Sequence, residues 1–388
     1  MPGLRKHNDS QARRAHLAFG RGGHGPWRDD SAWPDRCPMM PPTTANGTRM
    51  FETCRAHPAQ LGYVRVGLCG PSPCRKRYES MGSTHSFELA SVETLLFEGG
   101  GFAVAGFRCP ATHPHFAGAS NLRNFCFGLP RRSSRLTVND GPCFVADRNT
   151  LVLLNAGDSY ARQRCGSDRD DTDVVGISSD VLTDIVKHVA PDTLQRFGGP
   201  RFPCNDVTMP PSLYFQGRLT FERLRNTHVH KLAAEVRLLE LAGNVVATAA
   251  NAAGAQIDGG FRRELAGRRA REAVRQVKEL MCHSVPQCVD LKSLSDAVHM
   301  SQFHLCRLFK LDTGTSIHKY WRQLVLAQSL AMLSCRSIDI SGIALSLGFA
   351  AQSHFTTAFR QYFGVTPGQY RRVNMNGPGS LDEALGSG

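Results

Sequence analysis

The chain has 388 residues and a formal net charge of +13, from 46 Lys and Arg against 33 Asp and Glu. That length suits two ordinary domains, and the lack of any apolar run of about 18 residues argues against a helical membrane span. Thirteen cysteines form no C-x-x-C pair and match no Cys/His zinc spacing, so reduced thiols and a cytoplasmic location are expected.

The charge is uneven along the chain. Residues 1–80 carry 13 basic and 6 acidic residues, 81–260 carry 17 and 18, and 261–373 carry 16 and 7. A basic C-terminal part beside a neutral middle is the electrostatic footprint expected of a polyanion binder, although solvated surface charge alone gives the same balance.

Residues 1–80 are rich in Pro, Gly and Arg and show no period of two or 3.6. Either they form a disordered arm, or the protein starts at Met81; the later start is favoured. Arg13-Arg14 is followed by no apolar stretch, so a twin-arginine signal is rejected. From residue 87 to 178 the chain reads as strands. FAVAGFRC, LRNFCFGL, SRLTVND, CFVADRNTLVLLNAG and DVVGIS alternate or run apolar between turn residues. Short strands at this spacing predict a small β-barrel or sandwich, whose interior can hold one small ligand. His113 and His115 raise the question of a metal. They have no following carboxylate and no third imidazole, so they read as loop histidines around Pro114.

A short helix is expected over 180–189, with Asp180 as its N-cap. Two more are expected over 213–226 and 229–250. In the second, Val229, Leu232, Ala233, Val236, Leu239 and Leu241 form a stripe. It fits either intradomain core or a dimer face. Residues 251–262, NAAGAQIDGGFR, read as a linker. A lead helix follows over 268–283, with Ala273, Val274, Val277, Leu280 and Met281 inward.

Residues 291–372 then repeat a two-helix unit. The first copy is LKSLSDAVHMSQFHLCRLFKLDTG and the second is ISGIALSLGFAAQSHFTTAFRQYFG. Leu305 and Phe309 match Phe355 and Phe359 at an offset of fifty. Small Ala344 and turn-forming Gly348 take the places of Ser295 and His299. Asp290 and Ser301 cap the helices of the first copy, and Thr366-Pro367 starts the last helix. Ser316–Cys335 joins the copies as one helix of about 30 Å. Its apolar face comprises Ile317, Tyr320, Trp321, Leu324, Ala327, Leu330, Ala331 and Leu333.

The stretch GFAAQSHFTTAFRQYFGVTPGQYRR, with Gly-Phe, Ser-x-Phe, Ala-Phe and Phe-Gly-x-Thr-Pro in order, resembles the AraC/XylS family of bacterial transcription regulators. The resemblance covers about residues 270–372. The chain departs from the family pattern at Ser295, His299, Val325 and Ala350. The resemblance implies an α+β fold. An N-terminal cupin-like β-barrel with a helical pair would occupy 81–250, and an all-α domain of two helix-turn-helix units 263–373, before a flexible tail at 374–388. The implied partners are double-stranded DNA, a small-molecule effector, RNA polymerase and a second copy of the chain in a homodimer. No membrane partner and no cofactor are implied. A metal-dependent cupin enzyme with an appended DNA-binding module is the alternative. No catalytic triad, P-loop or dinucleotide fingerprint supports an enzyme.

On this reading Gln302, Phe303, Arg307 and Lys310 of the first unit face DNA, with Cys306 beside them. Arg307 reads a guanine through two hydrogen bonds or contacts a phosphate. Phe303 contacts a thymine methyl or packs in the core. Lys310 meets a phosphate. In the second unit Gln352, Ser353, Thr356, Thr357 and Arg360 face DNA. Gln352 suits adenine, and Ser and Thr suit either edge of a pair. Ala350 offers no side-chain cap, which leaves the helix amides open to a phosphate. Arg371 and Arg372 are phosphate contacts or surface charge, and His354 is a neighbour of the turn.

Overall fold

A computed structural model describes residues 92–376, apart from 119–120 in part, 167–168, 227–228, 256–266 and 336. The arm 1–80, the start at Met81, part of the linker and the tail beyond 376 lie outside the described residues. Among the described residues no helix is long and apolar enough to cross a membrane.

The N-terminal part is two antiparallel sheets. The first has the strand order β1 (Glu93–Gly99), β2 (Phe102–Pro110), β9 (Arg169–Ile177), β4 (Phe125–Pro130), β7 (Thr150–Leu154) and β10 (Asp206–Thr208). The second has the order β3 (Gly118–Ala119), β8 (Tyr160–Arg164), β5 (Ser134–Val138) and β6 (Phe144–Ala146). Alternation sets their faces. In β5 Ser134, Leu136 and Val138 are buried and the residues between are half-buried. Gly100 and Gly101, at φ 56° and 80°, make the tight β1–β2 hairpin.

The barrel expectation therefore holds only as far as a sheet domain. Hydrogen bonding gives two sheets and no closed barrel among the described residues. The expected single run CFVADRNTLVLLNAG divides between them. Asp147 breaks it: its side chain accepts from the Asn149 amide at 2.8 Å and its carbonyl from the Thr150 amide at 2.9 Å. The corner 147–149 thus hands the chain from β6 in one sheet to β7 in the other.

Helices follow. α1 (Ser179–Val189) has Ser178, not Asp180, at its N-cap; Asp180 lies in the first turn, where its charge complements the helix dipole. α2 (Pro191–Phe197) falls in a stretch that had suggested no helix. α3 (Pro211–Asn226) lies against the first sheet, and a Cβ added at Gly217 would sit 2.2 Å from Leu129 Cδ2, so any larger residue there would displace the Leu129 side chain. Arg218 is fully buried there. It donates to Asp173 on β9 at 2.6 Å and to Glu222, and Arg225 also pairs with Asp173. Burial alone would lower the Arg218 pKa, but Asp173 together with Tyr214, Glu222 and Tyr370 more than offsets it and holds the charge.

α4 (Lys231–Ala255) corrects two expectations. It runs past 250, so 251–255 is helical and not linker. Its buried stripe includes Ala234, Leu238, Leu241, Ala242 and Val245. Of the expected stripe only Leu241 is core: Leu232 is 62%, Val236 46% and Leu239 45% exposed, Ala233 is exposed too, and half-buried Val229 precedes the helix, so the intradomain-core alternative does not hold.

The C-terminal part is all helical: α5 (Arg268–Ser284), α6 (Leu291–Ala297), α7 (Gln302–Thr313), α8 (Ile317–Leu333), α9 (Ile340–Ser346), α10 (Gln352–Phe363) and α11 (Pro367–Asn376). α5 buries Ala273, Val274, Val277 and Met281 as expected, while Leu280 is half-buried. α8 has 17 residues, about 25 Å, and is shorter than the expected 20. It stops because Ser334 closes on Leu330 and Cys335 on Met332. It is also buried almost all round, with Gln323, Val325, Leu326 and Ser329 covered as well as the expected face, while Ala331 is exposed. Contact with the sheet domain accounts for this: Gln323 donates to the Met209 carbonyl at 2.9 Å.

Candidate nucleic-acid interface

The two helix-turn-helix units are built by the same local chemistry. Asp290 accepts from the Ser293 amide at 2.9 Å, and Asp339 from the Gly342 amide at 2.8 Å. Each carboxylate satisfies a backbone donor that the first turn of a helix cannot. Buried Ser295 and Ala344 sit at the crossing of the two helices. The turns then match bond for bond. Met300 donates to the Ser295 carbonyl and Phe349 to the Ala344 carbonyl, both at 3.0 Å. The positive φ falls on His299 at 53° and on Gly348 at 81°. His299 therefore does adopt the conformation that glycine adopts at less cost.

The second turn is one residue longer, and that residue changes the cap. Ser301 accepts from the His304 amide at 3.3 Å. In α10 the N-cap is Ala351, not Ala350, and it supplies no side-chain bond. Both helices end on a left-handed glycine, Gly314 at φ 72° and Gly364 at φ 77°. Ser316 then caps α8. Thr366 and Gln369 cap α11 reciprocally: the Gln369 amide donates to Thr366 Oγ1 at 3.2 Å, and the Thr366 amide to Gln369 Oε1 at 2.7 Å.

The reading faces also correspond. Leu305, Leu308 and Phe309 are buried in α7, as are Phe355, Ala358 and Phe359 in α10. Gln302, Phe303, Arg307 and Lys310 are exposed, as are Gln352, Ser353, Thr357 and Arg360. Phe303 is 80% exposed, so it does not pack in the core. One expected reader, Thr356, and its neighbour on the same face of the first unit, Cys306, sit lower. Cys306 and Thr356 hold equivalent positions and both are half-buried, against the expectation that they lie open on the face. Burial also pushes the Cys306 thiol above its usual pKa, so it offers DNA an uncharged group.

His304 and His354, related by the offset of fifty, are both exposed at one equivalent position in the two helices. Arg371 is corrected as well. It is half-buried, donating from Nη2 to the Ile338 carbonyl at 2.8 Å and from Nε to the Leu333 carbonyl at 3.3 Å. It closes the C-terminal end of α8, where a cation is favoured by the helix dipole.

The faces opposite the readers meet the sheet domain. Tyr320 of α8 donates its hydroxyl to Asp147 Oδ2 at 2.8 Å, and its carbonyl accepts from Asn149 at 2.8 Å. Burial and the nearby Asp147 carboxylate push the Tyr320 phenol well above its usual pKa, which keeps it a donor. Cys282 of α5 points at the same carboxylate, at 3.5 Å. Elsewhere His113 and His115 form a small turn, with His113 Nδ1 accepting from the His115 amide at 3.2 Å and the rings stacked 5.3 Å apart. Among the described residues no group of three or more His, Cys, Asp or Glu side chains comes together as a metal site would require.

A helix-turn-helix domain model matches residues 294–373. The multiple antibiotic resistance protein MarA of Escherichia coli is 34% identical over 89 residues, covering 23% of this chain and 70% of MarA. The HTH-type transcriptional regulator MtrA of Neisseria gonorrhoeae is 36% identical over 76 residues, or 20% of this chain and 25% of MtrA. Apo ToxT from Vibrio cholerae is a structural neighbour, with 11% identity, 71% of this chain and 98% of that chain covered, and a TM-score of 0.31. The tandem units, their paired polar faces and the extent of the match to MarA establish that the chain belongs to the AraC/XylS family of DNA-binding transcription regulators.

Proposed function

We propose that α7 and α10 enter successive major grooves on one side of a DNA duplex, and that the sheet domain couples a small effector to transcription. The observation that carries the reading is the matched burial of the two helices. In both, residues one, two, three and six from the helix start are exposed, the fourth is buried and the fifth is half-buried. Arg307 recognises a guanine, Phe303 a thymine methyl, and Gln352 an adenine; Ser353 and Thr357 read either edge, while Thr356 contributes from a lower position. Lys310 and Arg360 contact phosphates. The helices flank α8, and successive grooves lie about 34 Å apart.

The domain division in this reading is a cupin-like sensor over 81–255, a linker from there to 262, and the DNA-binding domain over 263–373. RNA polymerase is the second macromolecular partner, and the protein acts in the cytoplasm without enzymatic activity. The open stripe Leu232, Val236 and Leu239 recurs at i, i+4 and i+7 on α4, a spacing that presents one apolar face to a second copy.

Selection of sites from random DNA tests the groove assignment. Arg307→Ala should cost about 1–3 kcal/mol and relax preference at one position. Gln352→Ala should relax it roughly one helical turn away, about 10 base pairs. Loss of preference at the same base pairs in both variants would refute the two-groove reading. Footprinting with and without candidate small molecules tests the effector role, and metal analysis of the purified protein separates it from the cupin-enzyme reading.

A further inference from the structure

Among the contacts between the sheet domain and the DNA-binding domain, two sets lie behind the reading helices, one behind each. Behind α10, the Phe215 ring of α3 stacks on Phe363 with centroids 5.4 Å apart and lies 5.5 Å from Tyr370. Phe363 in turn packs on Phe359, the buried anchor of α10, at 4.7 Å. Behind α7, Tyr320 meets Phe309, the equivalent anchor, edge to face at 5.2 Å, while its hydroxyl reaches Asp147.

Both supports are stiff on the sheet side. α3 is tied to β9 by the buried Arg218–Asp173 pair at 2.6 Å. Asp147 lies at the corner where the chain passes between the sheets, and it also accepts from the Asn149 amide and Thr150 Oγ1. Two fixed points of one sheet domain, Phe215 through its ring and Asp147 through its bond from Tyr320, are therefore linked to the matched anchors Phe359 and Phe309 of the repeat. None of them covers a reading face: Arg307 and Gln352 remain exposed.

We propose that the sheet domain sets the separation and rotation of the two reading helices, with Phe215 and Tyr320 as positioning residues. This rests on the reading in which both helices enter successive grooves. The domain then acts on specificity without contacting DNA, by deciding which spacing between the two contact regions both helices can satisfy together. A base pair added between those regions rotates the second one by roughly 35° about the duplex axis, since one turn takes about 10 base pairs.

The test uses the full chain and a selected site, together with sites carrying one base pair more or less between the regions read by α7 and α10. The parent protein should lose roughly tenfold or more in affinity on either altered site, as expected when one helix loses its base contacts. Phe215→Ala should weaken the parent site several-fold, yet bind the altered sites within about threefold of it. Phe215→Leu, which keeps apolar bulk, should restore the parent profile. Tyr320→Phe keeps the ring against Phe309 and removes only the bond to Asp147, and it should flatten the profile too. If Phe215→Ala fails to fold, Tyr320→Phe decides the matter. A parent protein indifferent to spacing refutes the two-groove reading itself. A spacing-dependent parent whose Tyr320→Phe variant, and Phe215→Ala where folded, retain its profile overturns the positioning role alone.

Discussion

Arg371→Ala separates two physical roles for a basic residue near the DNA-binding surface. The side chain spends two donors on backbone carbonyls, at 2.8 Å on Ile338 and 3.3 Å on Leu333. Hydrogen bonds from charged groups contribute about 1.5–3 kcal/mol each, with the shorter bond counting more. Half-burial lets water replace part of what is lost, so the substitution should cost about 1–3 kcal/mol in stability. For a protein of this size that lowers the melting temperature by about 1–4 °C. Arg371→Lys can reach one carbonyl but not two, and should fall between. The assay is thermal unfolding alongside DNA affinity at several salt concentrations. The logarithmic dependence of affinity on salt should keep its slope, because the residue neutralises no phosphate. An unchanged melting temperature with a slope reduced by about one unit would refute the reasoning and restore a phosphate contact.

Asp290→Ala should cost about 1 kcal/mol at neutral pH, through the lost N-cap of α6. The bonds from the Ser293 hydroxyl and amide hold the Asp290 carboxyl below its usual pKa, so its contribution is present above the ordinary carboxylate range and is lost as pH falls through the lowered value. Urea unfolding of both proteins at stepwise lower pH should show the difference shrinking, and a difference that grows with acid would rule this out. Val236→Glu, on the open stripe of α4, should leave the unfolding free energy within about 1 kcal/mol of the parent while turning a dimer into a monomer by sedimentation. A parent that is already monomeric, or a variant that still pairs, would exclude this face.

Much of the C-terminal domain could be read from sequence because its determinants are local. Asp290, Ser301 and Thr366 cap helices a few residues away, and Gly348 needs only its own turn. What was misread depends on residues far along the chain. β8, Tyr160–Arg164, looks too polar for a strand because its inward positions are Tyr160 and Arg162. Arg162 is accommodated by Asp170 at 2.5 Å and by the Phe107 ring at 4.4 Å. In α4, small residues such as Ala234 and Ala242 make the closest contacts, so counting bulky side chains selects the wrong face. Arg371 was assigned by its charge, whereas its partners lie 33 and 38 residues earlier in the chain. Gln323 looks like a solvent-facing residue until β10 and the Met209 carbonyl arrive beside α8.

The two units share a backbone plan but not a surface: Phe303 and Arg307 in one stand where Ser353 and Thr357 stand in the other. A tandem of unlike readers in one polypeptide recognises a sequence with a head and a tail. Reversing such a site in front of a promoter turns the bound protein end for end along the duplex, so that the opposite flank of the protein faces the start of transcription. A regulator built this way carries an orientation that a twofold-symmetric reader of a palindrome does not have.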